Sequence, residues 1–399
     1  MEATIQRVAR PGLVIFICFL VAALEGYDIQ AFGVAAPSLA KMFSLSPGQL
    51  GWVGSIAMIG VVLGAFVGGQ VADRIGRKPV LFASVLVFGV FSIGTGFAST
   101  SGMLLATRLL SGLGFGGAMP NLIAIATEIA ERRKHATTVT LMFCGMPAGG
   151  AAVALLARLA GPELDWRTIF YIGGILPLAL LPLIWLGLPE TRPQHTQERS
   201  GAAHMLFSRG RAPATLLMWA AYLLTLVVLY LLLNWLPTLV IAKGMGKDVA
   251  NTATFVFNLT SIAGAVLIGL TIDRFGSRWP LVVVYLALVG SLFALSRAAT
   301  VDLIVVMSGF VGFLVIGGQY SLYALPPRYY SAHERAAGSG AAVGVGRFGS
   351  IIGPLLGGQL RAGGATAEQV LMALVPVALA AGIAVLLLSF RPHNDHPDA

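Results

Sequence analysis

Residues 24–37 read LEGYDIQAFGVAAP and set two carboxylates, Glu25 and Asp28, inside the first long apolar run of the chain. On a helix, side chains three apart point to nearly the same side. Both acids would then share one face at membrane depth. A carboxylate near the bilayer centre costs about 2.5–3.5 kcal/mol on insertion scales, so acids there tend to face a cavity and do work. The competing reading is a pair at a helix end, wetted by lipid headgroups.

The residues around that stretch decide for a membrane. Of the 399 residues, 57% are hydrophobic and only 11% charged, and the mean hydropathy is +0.84. A soluble fold cannot keep its surface wet with so few charges, whereas a lipid-facing surface needs none. One crossing takes about 20 mainly apolar residues. Runs of that kind lie near 11–40, 48–72, 79–98, 102–127, 136–160 and 167–188, then near 212–241, 250–272, 279–297, 302–325, 336–360 and 367–390. The expected fold is an all-α integral membrane protein with twelve transmembrane helices. Residues 1–188 form a first six-helix bundle, 189–211 a cytoplasmic linker, and 212–399 a second bundle with a short tail.

The net charge of +9 could suggest nucleic acid, but that needs a basic stripe on a folded face. Here the basic residues stand in short clusters between apolar runs, which excludes a nucleic-acid partner and sets orientation instead. Lys41, Arg158, Arg167, Lys243, Lys247, Arg297 and Arg361 fall on one side. Arg108 and Arg347 lie inside spans, and the rest of the 26 Lys and Arg fall on the other side, with both termini. That side is therefore cytoplasmic.

Arg7 and Arg10 before an apolar run resemble a signal peptide, but Glu25 and Asp28 interrupt it, so it reads as a retained first span. Cys18 and Cys144 sit in apolar runs and offer no disulfide framework. His135, His195, His204, His333, His393 and His396 fall in polar connections or tails without ligand spacing, so no metal is expected. No nucleophilic triad and no GxxxxGK[ST] loop occurs, which argues against an enzyme, a cofactor and ATP-driven transport.

The chain repeats. GQVADRIGRK at 69–78 returns as GLTIDRFGSR at 269–278, Pro37 as Pro237, and Gly116-Gly117, within one residue, as Gly317-Gly318. Two parallel halves around a central site are a transporter design.

These residues carry a resemblance over nearly the whole chain. GGQVADRIGRK is similar to the signature loop of the major facilitator superfamily, GxxxDRxGR(R/K), and RLLSGLGFGGAMPN at 108–121 resembles its fourth-helix motif. EGYDIQAFGVAAPSL at 25–39 resembles the first helix of the aromatic acid:proton symporters, near DGxDxxxxGxxxP, with Glu25 where Asp is common. MFCGMPAGG, NWLP and GGQYSLYALPPRYYS resemble the branch that imports 3-(3-hydroxyphenyl)propionate. The resemblance implies a monomeric, multi-pass carrier of a bacterial inner membrane. It would import a small aromatic carboxylate, of hydroxyphenylpropionate or hydroxybenzoate type, with protons by alternating access. A proton-coupled drug or metabolite exporter of the same fold is the alternative, and a receptor without flux is a further one.

On that reading the intramembrane charges take roles. Asp28, Glu25 and Arg108 would couple protons, since span 4 packs near span 1 in the superfamily. Arg347 would hold the substrate carboxylate, because a guanidinium grips a carboxylate with two donors. The reverse assignment of the two arginines stays open, as does a purely structural pairing. Tyr27, Asn121, Met142, Tyr230, Asn234, Gln319, Tyr320 and Tyr323 are candidates for the walls and polar tips around the ring. In the signature loop, Gly69, Asp73, Arg74, Gly76, Arg77 and Lys78, echoed by Asp273 and Arg274, would form a latch that breaks between access states. Glu128 and Glu131 are its nearest acids; plain positive-inside anchoring is the other reading. The GxxxGPxxGG run at 349–358 reads as a tightly packed, flexible helix.

Overall fold

In lipid an apolar run must close its backbone hydrogen bonds within itself. The long runs do so in the computed structural model, which describes residues 11–129, 135–161, 163–191, 206–207, 211–330 and 334–391. The first half holds α1 Pro11–Met42, α2 Pro47–Ile75, α3 Arg77–Gly96, α4 Ser101–Ile129, α5 His135–Phe143, α6 Gly145–Ala160 and α7 Trp166–Gly187. The second holds α8 Ala212–Ala242, α9 Lys247–Phe275, α10 Arg278–Arg297, α11 Val301–Leu322, the short α12 Pro326–Tyr329, α13 Arg335–Ala362 and α14 Ala367–Ser389. Twelve spans are long and apolar enough to cross a membrane, and no strand occurs among the described residues.

One span departs from expectation. The run at 136–160 is not continuous: α5 stops and α6 begins around Cys144. The cause is Pro147, which has no N–H to return to the carbonyl of Phe143. The ladder resumes when Ala148 N donates to Cys144 O at 3.2 Å.

Burial is inverted relative to a soluble protein. Leu186 is 83% exposed and Phe66 70%, while Asp28 and Arg108 are buried. Apolar side chains exposed on so many spans would be a liability in water; against lipid tails they are at home. The protein is a multi-pass membrane protein. Short polar turns start several helices with side-chain caps. Thr366 and Gln369 form a reciprocal capping box on α14, and Ser46 and Gln49 exchange the same two bonds before α2.

The chain packs as two compact units. The described residues of the first lie within Met1–Ala31, Ile56–Val153 and Glu163–His195, and those of the second within Phe32–Ser55, Ala154–Pro162 and Thr196–Ala399. The end of α1 and the start of α2 thus pack with the second half. A Cβ at Gly33 would overlap the Leu233 carbonyl, and Ser55 Oγ donates to Ile351 O at 2.7 Å.

Within each unit, helices meet through glycine, and the meetings repeat. In the first unit a side chain at Gly64 would strike the Leu113 carbonyl, at Gly112 the Ala57 carbonyl, and at Gly149 the Ala23 carbonyl. In the second, Gly264 meets Phe313, Gly312 meets Phe257 and Gly349 meets Leu223, each residue 200 positions on. Small residues let backbones approach where no hydrophobic force pulls helices together. The GxxxGPxxGG run follows this rule: Gly349, Gly353 and Gly357 seat α13 on α8, and Trp235 Nε1 donates to Pro354 O at 3.0 Å.

Candidate functional site

The first unit buries a polar centre. α1 brings Asp28, α4 brings Arg108 and α3 brings Ser92. Arg108 Nη1 donates to Asp28 Oδ2 at 2.6 Å and Ser92 Oγ donates to Asp28 Oδ1 at 2.6 Å. Both carboxylate oxygens are therefore engaged. The side chains of Asp28 and Arg108 are 0% and 2% exposed, which makes this a closed, buried ion pair. The guanidinium also stands over the Phe170 ring, 5.7 Å from its centroid. Removing one member of such a pair strands the other, at about 3–5 kcal/mol. Glu25 is buried one turn before Asp28. Tyr27 turns to α7 and donates to Ile169 O at 3.2 Å.

The second unit places its intramembrane charge differently. Arg347 of α13 reaches the Tyr230 hydroxyl of α8 at 3.5 Å, a long contact. The acids of α8 to α14 (Asp248, Asp273, Asp302, Glu334 and Glu368) all stand at helix ends. On α11, Gln319 is buried, and the Tyr320 and Tyr323 rings lie 6.5 Å apart. Asn234 Nδ2 donates to Tyr230 O at 2.7 Å and Asn121 Nδ2, in the first unit, to Gly117 O at 2.8 Å. Both asparagines thus spend their nitrogen on their own helix, leaving the amide oxygen as the polar tip. Met142 is fully buried in α5.

The signature loop is built on a turn. Gly76 has φ +100° and Gly276, its repeat, +77°, the left-handed region that glycine alone enters cheaply. Arg77 pairs with Glu128, and Lys78 lies 5.1 Å from the Trp185 ring centroid. Asp73, Arg74, Asp273 and Arg274 are exposed, and Gly69 faces open space. Glu131, His195, His204, His333, His393 and His396 lie outside the described residues, as does most of 189–211.

Several polar residues at these places escape a reading of charges alone. Ser92 is one hydroxyl in an apolar run and carries no motif. Gln30 follows Asp28 by two residues and was legible as polar at depth; it is buried, and neither amide atom has a partner among the described residues. Arg211 pairs with Glu334, linking the starts of α8 and α13. Lys243, past the end of α8, donates to Ser296 O at 2.7 Å and Ala298 O at 2.9 Å, capping the end of α10. Burial lowers the pKa of that ammonium, and Glu368 acts against the shift. Tyr222 of α8, buried and edge-on to Tyr323, is a further one.

Comparison with known proteins agrees with this architecture. The Major Facilitator Superfamily matches residues 18–354 and 218–399. A 3-(3-hydroxy-phenyl)propionate transporter of Escherichia coli (strain K12) is 41% identical over 393 residues, 98% of this chain and 97% of that protein. A 4-hydroxybenzoate transporter, PcaK, of Pseudomonas aeruginosa is 33% identical over 419 residues, covering 96% and 93%. Among solved structures, a D-xylose-proton symporter superposes with a TM-score of 0.79 at 18% identity, covering 96% of this chain and 98% of that one. At that identity the likeness speaks for the fold alone.

Proposed function

The chain belongs to the major facilitator superfamily, a family of transporters and not of enzymes, and from that premise we propose that it imports an aromatic carboxylate together with protons. The observation that carries the reading is the closed Asp28–Arg108 pair, with a second arginine, Arg347, at depth in the other unit. Arg108 is committed to Asp28, so the arginine assigned to the substrate carboxylate is Arg347, where a planar fork can grip two oxygens. Tyr230, Asn234, Gln319, Tyr320 and Tyr323 of the same unit supply walls and polar tips for the ring, and Tyr27, Asn121 and Met142 are the candidates in the first unit.

The proton belongs to Asp28, with Glu25 beside it. While Arg108 stays closed on it, the carboxylate is stable as an anion. When the pair opens, Asp28 is freed to carry the proton. Linking that opening to substrate loading makes the carrier a symporter. Residues 1–188 and 212–399 act as the two halves of alternating access, with the Arg77–Glu128 pair and the Asp73 loop as a latch on the cytoplasmic side. The basic residues between spans orient both termini to the cytoplasm of a bacterial inner membrane, and the carrier works as a monomer.

The nature of the substrate rests on the relatives' names, and hydroxyphenylpropionate and hydroxybenzoate types head the order of trial. The test is uptake of labelled 3-(3-hydroxyphenyl)propionate into proteoliposomes with and without an inward proton gradient. The wild type, Asp28→Asn and Arg347→Ala run side by side. Gradient-driven uptake lost in both variants supports the reading. Gradient-driven efflux, with no import of any aromatic acid, replaces it with the exporter.

A further inference from the structure

Buried polar atoms in folded proteins almost always find a hydrogen-bond partner, so those that do not require a reason. Two such atoms belong to the second unit, on residues that share a neighbour. Tyr222 is 0% exposed and its hydroxyl has no partner among the described residues; Gln319 is 2% exposed and the same holds for its Oε1. They come from different helices, α8 and α11, and Tyr323 joins them. Gln319 and Tyr323 stand four residues, about one helical turn, apart, and the Tyr323 ring meets Tyr222 edge-on, with centroids 5.7 Å apart and planes at 79°.

Arg347 belongs to the same neighbourhood. Its guanidinium reaches the Tyr230 hydroxyl on the same helix as Tyr222, and Gly346, the residue before it, lies where a Cβ would come within 3.2 Å of Tyr222 Cβ. An arginine, a hydroxyl and an amide oxygen thus belong to neighbouring residues of α13, α8 and α11. The hydroxyl can donate and accept; the amide oxygen can only accept. The chemical group that satisfies both at once donates one hydrogen bond and accepts one. A phenolic hydroxyl does this, while the carboxylate of the same molecule answers Arg347.

We propose that Tyr222 Oη and Gln319 Oε1 form a hydroxyl-reading subsite near Arg347, which selects aromatic acids bearing a ring hydroxyl over the same acids without one. This rests on the reading of the chain as an aromatic-acid importer. The selection works mainly by rejection: an acid lacking the hydroxyl fills the space and leaves both polar atoms buried and unpaired. Tyr222 thereby joins the residues that set specificity, although its place in an apolar run suggests only packing.

The experiment is competition in proteoliposomes holding the full chain. Unlabelled 3-(3-hydroxyphenyl)propionate and 3-phenylpropionate compete against labelled 3-(3-hydroxyphenyl)propionate. The wild type is expected to favour the hydroxylated acid by about tenfold or more, the scale of one to two neutral hydrogen bonds. Tyr222→Phe, which removes one oxygen and keeps the ring, is expected to bring the two acids to within about threefold; Gln319→Leu tests the second atom independently. A wild type without the preference, or a Tyr222→Phe variant that transports and keeps it, overturns the subsite and leaves the import reading standing. A wild type that takes up no aromatic acid overturns both.

Discussion

The two halves share a skeleton and differ in what they do with charge. Gly64, Gly112 and Gly149 meet the same backbone positions as Gly264, Gly312 and Gly349, so helix contacts repeat residue for residue. Asn121 bonds Gly117 O, and Ser321, its repeat, bonds Gly317 O. At the repeat of Asp28 stands Val228, and at the repeat of Arg108 stands Ser308. Arg347 has Pro147 as its counterpart. The packing repeats between the halves while the polar residues differ. The closed ion pair belongs to one half, and the arginine among tyrosines to the other. On the proposed reading, a proton site and an anion site can be tuned separately on one scaffold.

The largest expected effect tests the charged half. Arg108→Met strands Asp28 and costs about 3–5 kcal/mol, read as a clear fall in the thermal midpoint in detergent. Adding Asp28→Asn recovers most of that loss but restores no uptake. A single variant as stable as the double would mean that the two charges are not energetically coupled. Next comes the other half. Arg347→Ala is expected to weaken acid binding by about tenfold or more, with a far smaller change in midpoint than Arg108→Met. Equal destabilisation by the two would erase the contrast and make Arg347 structural.

The skeleton itself gives the third test. Gly112→Ala and Gly312→Ala each force a methyl against a carbonyl, at about 1–3 kcal/mol, and the two losses should match within about 0.5 kcal/mol. Unequal losses would show that the repeat is one of sequence more than of packing. The smallest effect is at Gly69 and Gly269, which face open space. Alanine there should change stability by less than about 0.5 kcal/mol. If uptake falls in Gly69→Ala while stability holds, that position meets a neighbour in another state of the transport cycle.

What the sequence displays and what it hides follow physical lines. Apolar runs near 20 residues long stand out against any polar background, so all twelve spans were legible, and so was the repeat. A charge in such a run stands out equally, which is why Asp28, Arg108 and Arg347 could be singled out. That Arg108 closes on Asp28 needed the packing of α1 against α4, for which the family resemblance stood in. Ser92 and Tyr222 gave no such signal, because hydroxyls and aromatic rings are common among apolar residues and only burial reveals what they lack or supply. The break in the fifth span was written in Pro147, but a proline inside a transmembrane helix is often tolerated, as Pro37, Pro237 and Pro354 are here.

A carboxylate and a guanidinium held at 2.6 Å carry no net charge between them. The membrane voltage, worth about 2.3 kcal/mol per elementary charge per 100 mV, exerts no net pull on that centre while it stays closed. On the proposed import reading, a proton on Asp28 makes the centre positive, and the arrival of an acid anion makes the loaded carrier neutral again. With one proton per anion the whole cycle is electrically silent, and with two it carries current inward. A current across the membrane would then report a second proton, carried by a group other than this pair.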